Sequence, residues 1–212
     1  MTGILAIADE VDEALYGEKL KLLHPELVVS AGDLPFDYLE YIVSSLDVPL
    51  VYVPGNHDRD LSSADPTWAP LRAERPPRGA RGAINADGGI LDAAGLRIAG
   101  LGGSHRYSKG PNQYSQSGMG LRALALGARG RARRALDGHG IDILLTHAPP
   151  AGLGDAEDTA HRGFEAFYRL VKVLRPRLLV HGHIHPYGAR QDDRRIGDTM
   201  VVNAIPSRLI EL

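Results

Sequence analysis

The chain has 212 residues, 43% of them apolar, and a formal net charge of -2, so there is no global pull toward nucleic acid or anionic membrane. It has no cysteine, which excludes disulfides and thiolate ligands. No apolar run approaches the roughly 20 residues that span a bilayer, and no basic stretch or cleavage site accompanies the first apolar segment. A single domain over 1–212 and a cytoplasmic location are the expectations that follow.

In chain order, Gly3 to Ile7 reads as a buried strand, and Asp12 to Leu23 as a helix with Leu15, Leu20, Leu22 and Leu23 inward. Leu27 to Ser30 is a second strand, ending in Ala31-Gly32-Asp33. Phe36 to Leu46 has helical spacing through Leu39, Ile42, Val43 and Leu46. Leu50 to Val53 is a third strand, ending in Pro54-Gly55-Asn56. This alternation predicts βαβ units and a parallel sheet. Residues 59–83, rich in proline and arginine, read as a long surface loop beside the site.

Strands follow at Gly89 to Asp92 and Leu96 to Leu101, then a glycine-weakened helix from Gly118 to Leu136. Ile141 to Leu145 is a strand ending at Thr146-His147, and Phe164 to Leu174 a helix stopped by Pro176. Leu178 to His181 is a strand ending in Gly182-His183-Ile184-His185. Tyr187 to Arg190 and Met200 to Ala204 read as a closing hairpin, and Arg208 to Glu211 as a last strand.

In an α/β sheet, ligands gather outside the carboxyl ends of the strands. Asp9, Asp33, Asn56, His147, His183 and His185 all fall there. An aspartate bridges two cations through its two oxygens, neutral imidazole suits Mn, Fe, Zn or Ni, and an Asn carbonyl adds a neutral oxygen. Two such cations would lower the pKa of a bridging water toward about 7 and clamp the oxygens of an in-line displacement. Phosphate esters need that help, because attack on an anionic phosphorus is electrostatically opposed.

On Asp9, Gly32-Asp33, Gly55-Asn56-His57-Asp58, His147 and Gly182-His183-Ile184-His185, the chain resembles the calcineurin-like metallophosphoesterases. The stretch from Thr146 to Pro186 is most similar to the subgroup of short members. The resemblance implies an α/β fold, a four-layer αββα sandwich with two mixed β-sheets. It implies two divalent cations, with Asp33 shared. Asp9 and His185 would serve the first; Asn56, His147 and His183 the second. It also implies two catalytic residues that are not ligands: His57 faces the phosphate and assists the leaving oxygen, and Asp58 orients the His57 ring. The implied activity is that of a phosphatase or phosphodiesterase, with manganese among the metals. A small phosphorylated substrate is the expected partner, with no membrane, and nucleic acid is the minor reading. Two alternatives stay open: a single-metal or weakly active member that binds a phosphorylated ligand, and a nuclease.

The family's first motif is Asp-x-His, whereas here it is Asp9-Glu10-Val11. Valine cannot ligate a cation, so a first site weaker than the second is expected, with water in the vacant position. Glu10 is expected to point away, since neighbours on a strand face opposite sides. His181 reads as a packed strand-end residue, and Asp155, Glu157 and Asp158 as a solvated acidic turn. The arginines at 122, 129, 131, 133 and 134 read as a solvated helix face. Gly102 to Gly120, with Tyr107 and Asn112, reads as a substrate-facing loop.

Overall fold

A computed structural model describes residues 2–59, 79–186 and 192–212. The strands are β1 (Gly3–Ile7), β2 (Leu27–Ser30), β3 (Leu50–Tyr52), β4 (Ala83–Asn85), β5 (Ile90–Ala93), β6 (Leu96–Leu101), β7 (Ser104–His105), β8 (Gln113–Tyr114), β9 (Ile143–Thr146), β10 (Leu178–His181), β11 (Arg194–Ile196), β12 (Thr199–Asn203) and β13 (Ser207–Glu211). The helices are α1 (Glu18–Leu22), α2 (Phe36–Leu46), α3 (Gln116–Asp137) and α4 (Ala166–Leu174).

Two mixed sheets carry the fold. The first runs β13-β1-β2-β3-β4, parallel except for β13. The second runs β11-β12-β10-β9-β6-β5, parallel in the middle with antiparallel edges. Alternation along the strands gives each sheet two apolar faces. Ile4 and Ala6 of β1 pack against Ile143 and Leu145 of β9 in the layer between the sheets. Leu5 and Ile7 turn outward onto Tyr38, Leu39 and Ile42 of α2. Leu144 turns the other way, onto Met119 and Leu126 of α3 and Phe167 of α4. The layers therefore run helix, sheet, sheet, helix. Among the described residues no helix is long and apolar enough to cross a membrane.

Three expected elements differ. The helix expected over Asp12 to Leu23 is a 3-10 turn at Glu13–Leu15 and the short α1, because Gly17 between them sits at φ 103°. The closing hairpin pairs β12 with β11 through Gly197, which sits at φ 59°; the strand expected over 187–190 lies outside the described residues. The loop expected over 59–83 also lies mostly outside them, at 60–78, and its end forms β4.

Candidate metal centre

The parallel strands of both sheets deliver their C-terminal ends to one place. Asp9 and Asp33 leave β1 and β2 in the left-handed region, at φ 59° and 56°, and His183 leaves β10 at φ 67°. That geometry costs an L-residue roughly 1–2 kcal/mol each. It turns the three side chains back over the strand ends, beside His147 at the end of β9. One ligand atom from each of Asp9, Asp33, His147 and His183 lies within 4.8 Å of the others. The carboxylates come from the first sheet and the imidazoles from the second.

Two glycines make room for this. A Cβ on Gly55 would overlap the Asp33 carboxylate and the His147 ring, and one on Gly182 would overlap the Asp9 carboxylate. The close approach therefore requires glycine at both positions.

Hydrogen bonds fix the imidazoles. His147 Nδ1 donates to the Ala31 carbonyl at 2.7 Å. Its Nε2 faces two acceptors, Asn56 Oδ1 at 3.0 Å and Asp33 Oδ2 at 3.3 Å. His183 Nε2 donates to the Ala160 carbonyl at 2.8 Å, which leaves Nδ1 as its donor atom. The His183 amide donates to Asp9 Oδ2, also at 2.8 Å.

The electrostatics ask for positive charge at the centre of the cluster. Burial drives Asp9 up to about 6. For His147, burial works downward, but the Asp33 carboxylate outweighs it and holds the ring up at about 9. For Asp33, burial works upward and the His147 charge and hydrogen bond win, so it is lowered. His183 is driven down to about 3 by burial and by its neighbour His147, so it stays neutral. One proton on His147 Nε2 answers two surrounding acceptors, Asn56 Oδ1 and Asp33 Oδ2; a divalent cation among these donors would answer them better. Two carboxylates, an amide oxygen and two imidazoles form a donor set for Mn, Fe, Zn or Ni. The residues present fit such a cation.

The remaining expected site residues take distinct places. Asn56 is buried beside the cluster, with Oδ1 on the His147 side and Nδ2 donating to the Tyr107 hydroxyl at 3.1 Å. His185 sits at the margin, with Nε2 at 3.9 Å from Asp9 Oδ1. His57 is exposed, and its backbone amide donates to Asp33 Oδ1 at 2.8 Å. It lines an open cleft of about 550 Å³ with Asp33, Phe36 and Arg59.

Asp58 corrects an expectation. Its Oδ2 accepts from the Gly55 amide at 2.7 Å and the Asp33 amide at 3.0 Å, so it ties two strand-end turns together rather than the His57 ring. Burial raises its carboxyl, and the two N–H donors pull against that.

Glu10 corrects another. Asp9 is not in extended conformation, so strand alternation does not apply to its neighbour. Glu10 Oε1 lies 2.6 Å from His185 Nδ1, which leaves Nε2 directed toward Asp9. Val11 packs against the apolar cluster over α2, and Asp12 accepts from Ala14 N and Ser207 Oγ.

Asp155 is a latch rather than a solvated acid, accepting from the amides of Gly152 and Gly163 at 2.8 and 2.9 Å. His161 bonds to Asp158 at 2.9 Å and brings its ring within 5.3 Å of His183. His181 is buried, with its ring tied to the Gly182 carbonyl. Asn112 Nδ2 donates to the carbonyls of Gly55 and Asp58, so the 102–120 segment is pinned over the site.

Comparison with known proteins agrees with this geometry. The family model described as calcineurin-like phosphoesterase matches residues 7–187. A stretch of 56 residues, 25% of this chain, is 43% identical to UPF0046 protein T07D4.2 of Caenorhabditis elegans and spans only 14% of that protein's length. One solved structure aligns at a TM-score of 0.61 with 17% identity, covering 96% of this chain and 90% of its own. The structure of TT1561 of Thermus thermophilus aligns at 0.59 with 20% identity, covering 96% and 88%. At these identities the two structural likenesses are likenesses of fold.

Proposed function

Since the chain belongs to the calcineurin-like phosphoesterase family, we propose that it hydrolyses a phosphomonoester or phosphodiester with divalent metal and an activated water. The observation that carries this is the convergence of Asp9, Asp33, His147 and His183 at the ends of parallel strands. These four would hold the metal, with Asn56 and His185 completing the donor set. When bound, the metal supplies charge neutralisation for phosphate oxygens and a hydroxide-like nucleophile near neutral pH.

The other contributions come from the chain. His57, exposed on the open cleft, would give a proton to the leaving oxygen. The hydrogen bond from its amide to Asp33 ties its backbone to the site, and its ring is not among the four clustered ligand groups. Asp58 holds the two turns that carry Asp33 and Asn56, so its effect on turnover is one of positioning.

The test is elemental analysis of purified protein with a panel of aryl mono- and diesters in Mn, Ni, Zn and Mg. Asp33→Asn should lose metal and hydrolysis together. His57→Ala should keep metal and lose turnover. Metal-free protein with full hydrolysis would refute the proposal. One observation favours a second reading: Val11 stands in an apolar cluster where a ligand would be needed. A chain that takes up one metal and binds phosphate without turnover would select the phospho-ligand binder.

A further inference from the structure

α3 carries five arginines, and the fold splits them. Arg122 pairs with Asp87 at 2.6 Å, Arg129 donates to the Gly88 carbonyl, and Arg133 pairs with Asp92 at 2.7 Å. These three fasten the helix to the edge of the second sheet. Arg131 and Arg134 go elsewhere, into a cavity of about 960 Å³ between α3 and α4. Arg169, Lys172 and Arg175 line the same cavity, and among the described residues no acidic one does. Among the described residues, no hydrogen bond or ion pair engages any of these five side chains.

A solvated helix face spreads its cations outward. Here the five are exposed, yet they border one open concavity from two helices and from the residue that caps α4. The C-terminal helix dipoles account for Arg134 and Lys172, which stand in the last turns. They do not account for Arg131 and Arg169, which lie further in, since the dipole effect fades within one turn. Those two also border an adjoining, mainly apolar groove of about 780 Å³ with Leu121 and Leu124, and with Glu165 at its lining. The chain as a whole is slightly acidic, so this is a local excess of charge in a concavity of small-molecule size. Among the described residues no aromatic one lines it, so they offer no stacking platform for a base.

We propose that this cavity binds a compact, multiply charged phosphate anion, either free or as a headgroup whose apolar tail follows the groove. The site is distinct from the metal centre. Ile141 borders the cavity before β9 begins and His147 follows β9, so about 20 Å of extended chain separates them.

The experiment is calorimetric titration of the intact protein with inorganic tripolyphosphate at about physiological salt. One anion per chain is expected. Arg131→Glu/Arg169→Glu should weaken binding at least tenfold, with circular dichroism unchanged. Arg131→Gln/Arg169→Gln serves if the glutamates impair folding. Two controls decide where the anion sits. Lys19→Glu/Lys21→Glu removes the same charge from exposed positions on α1 and should leave binding within about twofold. His183→Ala at the metal cluster should leave it unchanged. Equal loss in the lysine pair would show diffuse attraction, and loss in His183→Ala alone would place the anion at the metal; either result overturns the proposal. Vesicles of neutral lipid with and without an anionic phosphorylated headgroup separate the two sources. Capture lost in the arginine pair assigns the headgroup; tripolyphosphate binding without capture assigns the free anion. Binding of neither overturns the site.

Discussion

The hydroxyl of Tyr107 accepts a hydrogen bond from the side-chain amide of Asn56, 51 residues earlier in the chain. An amide can present either end to the cluster. This bond commits its nitrogen outward and turns its oxygen toward His147. Tyr107→Phe removes the acceptor and frees the amide to rotate. Metal affinity should fall on the order of tenfold with little change in thermal stability. Titration of both proteins with Mn or Zn checks this. Unchanged affinity would show that the cluster itself orients Asn56.

Glu10 holds His185 through Nδ1 where the family's histidine is missing. Glu10→Gln should weaken the first cation about tenfold and leave the second unaffected. Because both side chains are partly exposed, the folding cost should stay below about 1 kcal/mol. Val11→His, by contrast, must leave an apolar cluster before it can reach the site. It should cost about 1 kcal/mol of stability, and a gain in first-site affinity should appear only if the ring escapes that packing. Stoichiometry by elemental analysis distinguishes the two sites.

The role of Glu10 is not legible in the sequence, and the reason is local backbone geometry. The βαβ rhythm, the strand ends and the motif residues all follow from apolar runs and the glycines that close them. Nothing local announces that Asp9 adopts a left-handed conformation, which swings Glu10 to the same side. A glycine such as Gly17 is tolerable inside a helix, yet here it divides one, because its φ is positive. β7 and β8, at two residues each, are too short to show any period. Sequence adjacency pairs Asp58 with His57; its partners are amides that the fold brings in from two turns. The arginines of α3 have no periodicity that separates fastening from free, since their partners lie on other elements.

Cation uptake should depend on pH. A ligand must shed its proton before it binds metal. Asp9 keeps its proton up to about 6 and His147 up to about 9. Affinity should therefore climb as pH rises through 6 and continue toward 9, and protons should be released on binding. Titrations in buffers of different ionisation enthalpy measure that release. A flat profile from about pH 5.5 to 9 would contradict the charge balance described for the cluster.

Gly55→Ala and Gly182→Ala place a methyl group against a ligand carboxylate. Each should cost about 1–3 kcal/mol and lower metal affinity at least tenfold. Thermal melts with and without Mn read both effects. A neutral Gly55→Ala would mean the Asp33 turn yields more than the structure implies.

Arg97 is buried and reaches Asp92, Asp137 and the His139 carbonyl at 2.7–2.9 Å. Its hydrogen bonds hold both carboxyls low, Asp137 at about 2. Depressed carboxyl pKa values stabilise the fold above about 3.8, and that contribution is lost as pH falls toward about 2. Arg97→Leu should destabilise the fold near neutral pH and flatten the acid limb between about 4 and 2. Denaturant melts across that range test it.

The divided origin of the cluster bears on the order in which the molecule assembles. Carboxylates from residues 9 and 33 meet imidazoles from residues 147 and 183 across the seam between the sheets. Neither half of the chain holds a complete set, so capture of a cation must wait until both sheets have formed and docked. A captured cation then stitches the seam shut. It would slow the parting of the sheets more than it hastens their meeting, so its mark on the protein should be a longer-lived native state rather than faster folding.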